Sequence, residues 1–333
     1  MSEILHEIFE NNPLYGGTQM IKYAAKGAGK TMLDHHMIRA SIQRGDLVIV
    51  RASSLDTWHT LARTNKLRAI TLGDYEFKLR SIKVKKSEKV RLEDIGIEEV
   101  RVNSPETAIN VMSDGKPIVN IIITDGMAGM DRSLGKGNKE TMFWVLLLYY
   151  LMRNDDERWT TVYFDEIQEI FNANPSSGEQ WAIQQIFRTT IFNHFRKARI
   201  NFRASTHTYH NLDFDLQSMF AYKMIMYGGI PIHQWDYSQD FDFKTIKKGE
   251  AIVIDAGSQW ERLKLPYEPE HAPDTVIETL PESVEFHPEL DERYCKLLGI
   301  TKNIICASCG EIVPYTRVKC PSCKEKLISP VVE

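Results

Sequence analysis

The sequence is poor in cysteine. Only five cysteines occur among 333 residues, and four of them fall between Cys306 and Cys323. Thiols this few exclude a scaffold that depends on disulfides, and their clustering indicates a metal site. Cys295 stands apart, and we expect it to be a core thiol rather than a nucleophile.

Long apolar runs and a secretory signal are also lacking. The longest apolar run, Met142–Met152, has eleven residues, which is too short to span a bilayer and is typical of a buried helix. The N-terminal segment MSEILHEIFENN is acidic and interrupted by polar residues, unlike a secretory signal. We therefore expect a cytoplasmic protein with no membrane span.

A strong excess of one charge is absent as well. The net charge of −4 argues against a protein that coats nucleic acid with its whole surface, but it allows local basic patches or a basic central channel. With 43% hydrophobic and 26% charged residues, the composition is that of a soluble globular protein. The length suits one large α/β domain with a small module, or two modest domains.

What is present is an alternation of apolar runs with helical patterns. It predicts an α/β fold, a mostly parallel sheet wrapped by helices, and several runs are apolar enough for strands buried on both faces. The predicted strands are Gln19–Ala24, Leu47–Arg51, Ile118–Thr124, Thr160–Phe164, Ile200–Ser205, Lys223–Tyr227 and Ala251–Asp255. The predicted helices are Thr31–Arg44, Thr141–Asn154 and Gly178–Lys197.

The composition changes at Pro266, where prolines begin to punctuate an acidic segment. We predict three parts: a core over residues 1–265, a linker over 266–300 with a short helix near Leu290–Leu298, and a cysteine module over 301–333.

The segment Ala24–Thr31, AAKGAGKT, fits the Walker A pattern, with Ala24 where glycine is commoner. Its glycines let the backbone curl so that N–H groups point at phosphates. Lys30 would reach the β- and γ-phosphates of ATP, and the Thr31 hydroxyl would ligate Mg²⁺. The alternative is a plain glycine turn before a helix. The predicted nucleotide-binding residues of this loop are Lys26, Gly27, Ala28, Gly29, Lys30 and Thr31.

The second motif is a pair of acids, Asp165 and Glu166, that directly follows the predicted strand Thr160–Phe164. The carboxyl ends of parallel strands open onto the ligand crevice. Asp165 would hold Mg²⁺, directly or through water, and Glu166 would polarise the attacking water. The alternative is a solvated strand end. The interval between the two motifs includes the strand Ile118–Thr124, which is typical of ring-forming and recombinase-like P-loop proteins.

These two motifs resemble those of the HerA/FtsK superfamily of DNA-pumping ATPases. The resemblance extends to Phe195–His207, FRKARINFRASTH, and to Ile246–Val253, IKKGEAIV. It implies a RecA-like P-loop NTPase fold and a hexameric ring with ATP between neighbours. It further implies a motor that grips DNA without regard to sequence, for genome packaging, conjugation or another DNA-pumping task.

The resemblance also assigns roles to single residues. His207 stands where the family usually carries a glutamine that senses the γ-phosphate, so the implied catalytic residues are Glu166, Lys30 and His207; Thr206 is an alternative sensor. The cation that one ring subunit lends its neighbour, usually an arginine, has several candidates: Arg188, Arg196, Arg199 and Lys223. The alternative for each of them is a solvated helix-face or sheet-edge charge.

Other functions remain open from the sequence. An ATPase that powers protein secretion or pilus assembly shares the same core, and a regulatory nucleotide switch or an adaptor is a further alternative. The basic segment Lys78–Arg91 is interpreted either as a DNA-facing hairpin or as a solubilising surface. The glycine-rich loop Asp125–Lys139 follows a core strand and is expected at the active face, where it either lines a channel or is only a connection. The run Asn172–Gly178 is a further polar loop, after the two acids.

The C-terminal cysteines form two CxxC pairs, Cys306 with Cys309 and Cys320 with Cys323, separated by ten residues. Four thiolates in this spacing predict a closed, structural Zn²⁺ site of the zinc-ribbon type. The module would dock onto DNA, another subunit or a partner protein, and the sequence does not choose between them.

Overall fold

The computed structural model describes most of the core and parts of the C-terminal region. Described are residues 10, 11, 16–52, 58–83, 86–124, 138–154, 156–175, 178–207, 209–229, 243–265, 274–286, 303–306, 308, 309, 312–314 and 319–324, with Ile8, Leu55 and Tyr294. Most of the predicted loop Asp125–Lys139, Cys295 and all but one residue of the predicted helix Leu290–Leu298 lie outside this description.

A ten-stranded sheet dominates the fold, in the order β12-β11-β10-β1-β9-β8-β2-β7-β3-β6. Strands β10 to β6 in this order run parallel, whereas β11 and β12 are antiparallel at one edge. The strands are β1 Gln19–Tyr23, β2 Leu47–Ala52, β3 Leu67–Thr71, β4 Tyr75–Ser81, β5 Ser87–Lys89, β6 Ile97–Arg101, β7 Val119–Ile123, β8 Thr160–Phe164, β9 Ile200–Thr206, β10 Tyr222–Met226, β11 Glu250–Ile254, β12 Trp260–Lys264, β13 Thr275–Pro281, β14 Asn303–Ile305 and β15 Ile312–Pro314. The predicted parallel α/β sheet is confirmed.

Helices cover both faces of this sheet. They are α1 Lys30–Gln43, α2 Pro105–Met112, α3 Asn138–Met152, α4 Gly178–Ile186 and α5 Phe214–Ser218. Neighbouring residues of β2 show the two faces: Val48 belongs to the apolar cluster that includes α1, and Ile49 belongs to the cluster that includes α2, α3 and α4. Residues 142–149 of α3 are all buried, as expected for a helix that is apolar all round.

The predicted helix Gly178–Lys197 is not one continuous α-helix. The α-helical part ends at Ile186, and a π-helical turn, Phe187–Ile191, and a 3₁₀ turn, Phe192–His194, follow. The wider turn places residues five apart on the same side. Phe187 and Phe192 are both buried, with ring centroids 5.6 Å apart. Packing of these aromatic residues under the sheet therefore accounts for the change of helical geometry.

The predicted basic hairpin exists, as β4 and β5. It belongs to a separate three-stranded sheet, in which β4 also pairs with β13, a strand within the segment 266–300. Lys78 and Lys89 both pair with Glu76, at 2.8 and 3.0 Å. These lysines are therefore partly neutralised by an acid on the same sheet.

None of the helices in the described part of the chain combines the length and the apolar character that crossing a bilayer requires.

Candidate functional site

The candidate site lies at the carboxyl ends of three adjacent strands, β1, β9 and β8. Tyr23 at the end of β1 is in register with Thr206 of β9, and Ala204 of β9 is in register with Phe164 of β8. The glycine loop follows β1 and the two acids follow β8. One strand therefore separates the two motifs in space, although more than a hundred residues separate them in the sequence.

The glycine loop is anchored to the strands on both sides of β1. The Ala24 N–H donates to the carbonyl of Thr206 at 3.3 Å, and the Ala25 N–H donates to the carbonyl of Tyr227 at 3.1 Å. Gly27 and Gly29 have φ values of +77° and +97°, a region that L side chains rarely adopt. Space does not forbid a side chain at either glycine, since an added Cβ would have open surroundings. The constraint is the backbone conformation itself.

Lys30 begins α1 and points towards the acids. Its Nζ lies 3.4 Å from the carbonyl oxygen of Ala24 and 3.7 Å from Oε1 of Glu166. The lysine is buried and the glutamate side chain is only 18% exposed. Thr31 follows at a half-buried position of the same turn. The structure thus brings the loop lysine and the second acid into one site.

Asp165 is held against β9. Its Oδ1 accepts hydrogen bonds from Ser205 Oγ, at 2.6 Å, and from the N–H of Glu166, at 3.1 Å. The carboxylate is thereby oriented before any ligand arrives. No functional role for Ser205 follows from the sequence, because the hydroxyl is recognisable as a partner only once β8 and β9 are known to be neighbours.

Glu166 has an unusual backbone and two side-chain donors. Its φ is +48°, in the left-handed region, where a residue with a Cβ is strained. Its Oε2 accepts hydrogen bonds from Gln168 Nε2, at 2.7 Å, and from His207 Nδ1, at 2.5 Å. The three residues form a fixed cluster beside Lys30.

An open cavity of about 380 Å³ adjoins this cluster. Its lining is polar: Gln168, Glu169, Asn172, Asn174, His207 and Asn211. The His207 side chain is 39% exposed, so it borders both the cavity and Glu166. Asn172 and Asn174 of this lining belong to the predicted polar loop Asn172–Gly178.

Arg51 is a site residue that the sequence interpretation missed. It lies in β2, in register with Phe164, and its side chain is 1% exposed. Burial by itself lowers the pKa of Arg51, but the carboxylates of Glu140 and Glu169 outweigh burial and raise it, so the guanidinium stays charged. A lone arginine in an apolar run is normally interpreted as a strand-edge charge, and no local pattern signals its burial.

A second buried ion pair lies beneath the loop. Lys22 of β1 pairs with Asp34 of α1, and both side chains are nearly inaccessible. Burial raises the pKa of Asp34, and the adjacent Lys22 acts in the opposite direction. Because Lys22 precedes the glycine loop and Asp34 follows it, the pair ties together the two elements that the loop connects.

The candidate trans-acting cations lie in different surroundings. Arg188 is buried and donates to Asp213, at 2.5 Å, and to Asp215, at 3.0 Å. Arg196 and Arg199 are exposed just before β9, a strand length of roughly 20 Å from the loop edge. Lys223, early in β10, is partly buried, and burial lowers its pKa. Arg188 is thus engaged within its own chain.

The four clustered cysteines converge. Each Sγ lies within 4.8 Å of the other three, with Cys306 and Cys323 at 3.5 Å and Cys309 and Cys320 at 3.5 Å. A tetrahedral Zn²⁺ with bonds of about 2.3 Å sets its sulfurs roughly 3.8 Å apart, so the group fits this ion. A hydrogen bond from the Ser308 N–H is the main cause that lowers the pKa of Cys306 to about 7, which favours the thiolate.

Several solved structures resemble the chain. The genome packaging NTPase B204 of Sulfolobus turreted icosahedral virus 2, solved with sulfate, is 11% identical, with 76% of this chain and 98% of that chain covered and a TM-score of 0.47. VirB4 of Thermoanaerobacter pseudethanolicus is 10% identical, with coverages of 80% and 94% and a TM-score of 0.49. The bacterial conjugative coupling protein TrwBdeltaN70 is 10% identical, with coverages of 82% and 94% and a TM-score of 0.43.

Neither a protein-family model nor a curated protein matches the sequence. The fold is defined instead by its own elements. A glycine loop joins β1 to α1, an acid-tipped strand lies two positions away in a parallel sheet, and helices cover both faces. The chain has the fold of the P-loop nucleoside triphosphatases.

Proposed function

We propose that the protein hydrolyses Mg-ATP and uses the energy to translocate DNA, as a ring of identical subunits. One observation carries the hydrolase part of the proposal: Lys30 Nζ, from the glycine loop, lies 3.7 Å from the Glu166 carboxylate, from the tip of β8. A cation that binds phosphate and a carboxylate that activates water are the two groups that phosphoanhydride hydrolysis needs side by side.

The loop residues bind and orient the substrate. The Ala28 N–H donates to the carbonyl oxygen of Ala25 within the loop. The N–H groups of Lys26, Gly27 and Gly29 and those at the start of α1 would face the phosphates, and the Lys30 ammonium would neutralise charge at the β- and γ-oxygens. Thr31 and Asp165 would hold Mg²⁺, which would stabilise the negative charge that develops on the phosphate oxygens. Ser205 Oγ donates a hydrogen bond to Oδ1 of Asp165 and so restricts the orientation of this carboxylate.

Glu166 acts as the base. Its carboxylate accepts a proton from the attacking water, or polarises that water, and Gln168 and His207 fix its direction. His207 is the proposed γ-phosphate sensor, since an imidazole in contact with the base and open to the cavity can exchange one partner for another.

DNA as the substrate of the motor is proposed from the resemblance to the HerA/FtsK superfamily. The net charge of −4 requires basic residues to be concentrated on the surfaces that meet DNA, and contacts of this kind go to phosphates, which carry no sequence information. A hexameric ring would place a cation of one subunit at the nucleotide of the next.

The test is ATP turnover with and without duplex DNA. We expect duplex DNA of any sequence to stimulate turnover, less so as salt is raised, and sedimentation with ATP to show a ring. Turnover indifferent to DNA would overturn the DNA part and favour a motor that acts on protein. Absence of turnover under all conditions would overturn the hydrolase itself.

We also propose that Cys306, Cys309, Cys320 and Cys323 bind a structural zinc ion. Four sulfurs at the separations given above fill a tetrahedral shell, which leaves no coordination position for a catalytic water. A bound zinc ion would hold the turn after β14 against the second CxxC pair, Cys320 and Cys323.

A further inference from the structure

The most heavily engaged buried charge in the described part of the site is Arg51. Its Nη2 donates to Glu140 Oε1, at 2.9 Å, and to Glu169 Oε2, at 2.7 Å. Its Nη1 donates to the backbone carbonyl oxygen of Asp165, at 2.6 Å, and lies 3.5 Å from that of Glu166. One guanidinium therefore contacts the main chain of both acids that the proposed reaction uses.

These contacts lie on both sides of Glu166, the residue with the strained backbone. Asp165 precedes Glu166, and Glu169 ends the 3₁₀ turn that follows it. A non-glycine residue with φ near +48° persists only where its surroundings fix it. Arg51 contacts the main chain at Asp165 and the side chain of Glu169, on either side of Glu166, while Gln168 and His207 contact the Glu166 carboxylate itself.

Packing alone does not account for this arginine. Burying a guanidinium carries a large desolvation cost, and an apolar side chain of similar volume fills such a place without it. The four acceptors come from two different segments of the chain. The turn after β8 supplies Asp165, Glu166 and Glu169, and α3 supplies Glu140, which also accepts a hydrogen bond from Thr124 after β7. A planar, forked donor is the side chain that can satisfy acceptors in several directions at once.

We propose that Arg51 is a positioning residue for hydrolysis: it holds the Asp165–Glu166 turn in the conformation that aims Glu166 at the attacking water. The proposal rests on the proposed ATPase function. The hydrogen bonds of Arg51 given above go to protein acceptors around the turn, so its proposed action is through Glu166. Its loss should impair the chemical step and leave the glycine loop, which binds the phosphates, intact.

The test compares kcat and the affinity for Mg-ATP in three variants. Arg51→Met should lower kcat on the order of a hundredfold, the scale of a misplaced catalytic group, with ATP affinity retained. Arg51→Lys should recover only part of kcat, because an ammonium cannot reach four spread acceptors. Glu169→Gln, which removes one charged partner from an exposed position, should lower kcat less than Arg51→Met.

Arg68 provides a matched control. It is another arginine with a 1% exposed side chain, held by Asp114 at 2.6 Å and by Glu98 at 3.3 Å. It lies on β3, which β7 and β2 separate from β8. Arg68→Met should lower the melting temperature, as any broken buried pair does, and leave the kcat of the folded protein unchanged.

Three outcomes overturn the proposal. The first is a folded Arg51→Met variant with wild-type kcat. The second is a loss of kcat in Arg68→Met as large as in Arg51→Met, since both would then report stability alone. The third, decisive if Arg51→Met does not fold, is wild-type kcat in both Arg51→Lys and Glu169→Gln. A wild-type protein without ATP turnover is distinguishable from these, because it overturns the proposed function before any variant is compared.

Discussion

At the residue scale, the site depends on a few groups whose surroundings fix them before a nucleotide binds. Lys30 is held between the Ala24 carbonyl and Glu166. Asp165 is held by Ser205, and Glu166 by Gln168 and His207. Groups that need no reorganisation at the moment of reaction stabilise a transition state most effectively.

Lys30→Met tests the role of the loop lysine. We expect this variant to lose most of its affinity for ATP, because the ammonium contributes the strongest single attraction to the β- and γ-phosphates. Calorimetric titration with Mg-ATP measures the effect. Lys248→Met, which removes an exposed lysine outside the loop, is the control and should bind normally. Equal affinity in Lys30→Met and the wild type would exclude the phosphate-binding role.

At the element scale, the relation between β1 and α1 is fixed by a buried ion pair. Lys22 and Asp34 lie on the two elements that flank the glycine loop, with side chains only 1% and 4% exposed. The loop itself contains two residues in the left-handed region, Gly27 and Gly29. A rigid connection across the loop keeps its N–H groups in a binding conformation.

Lys22→Met tests this connection. Removing one partner leaves Asp34 buried without its cation, and we expect a loss of about 3–5 kcal/mol of stability. The double variant Lys22→Met/Asp34→Leu should recover much of this loss, because no buried charge is left over. Thermal unfolding of the two variants decides the point. A double variant as unstable as the single one would show that the pair is not the source of the effect.

The cysteine module makes a separate prediction. The intact protein should carry a single zinc ion per chain, and Cys320→Ser should lose it, because each CxxC pair contributes half of the tetrahedral shell. Elemental analysis of the purified chains measures the metal content. Cys295→Ser is the control and should retain zinc. Zinc content unaffected by Cys320→Ser would contradict the proposed site.

Elements differ in how well the sequence predicted them. Strands such as β2 and β7 were predictable because the runs Val48–Val50 and Ile121–Ile123 are continuously apolar. Strands β6 and β12 were missed, since IEEVR and WERLK at the two edges of the sheet are mostly polar. Strand β3 was missed although it is buried, because Arg68 interrupts its short apolar run, and β13 lies in the segment predicted as a linker. The π-helical turn after α4 depends on the packing of Phe187 against Phe192, which no local periodicity encodes.

Site residues also differ in whether a local sequence pattern predicts them. Lys30, Asp165 and Glu166 could be predicted because each belongs to a motif with a fixed chemical meaning. Arg51 could not, because its partners Glu140 and Glu169 are distant in sequence and meet it only after β2 and β8 have paired. Residues that position a catalytic group depend on tertiary structure, whereas residues that contact the substrate are more often signalled by local motifs.

At the scale of the whole molecule, strand order explains why two distant motifs form one site. Strands β2, β7, β3 and β6 all lie beyond β8, and β9 lies between β8 and β1. The insertion of β9 spaces the base from the loop by two strand widths, about 10 Å at the sheet. The long side chains of Lys30 and Glu166 span this gap and meet at 3.7 Å.

The most direct measurement of the central claim is ATP binding and ATP turnover by Glu166→Gln, compared with the wild type. Binding should persist, because the glycine loop and Lys30 are unchanged, while turnover should fall by about 10²- to 10⁴-fold, the usual contribution of a general base. Full turnover in this variant would contradict the assignment of Glu166 as the base. Loss of ATP binding as severe as in Lys30→Met would contradict the proposal that the loop binds ATP and Glu166 acts only in hydrolysis.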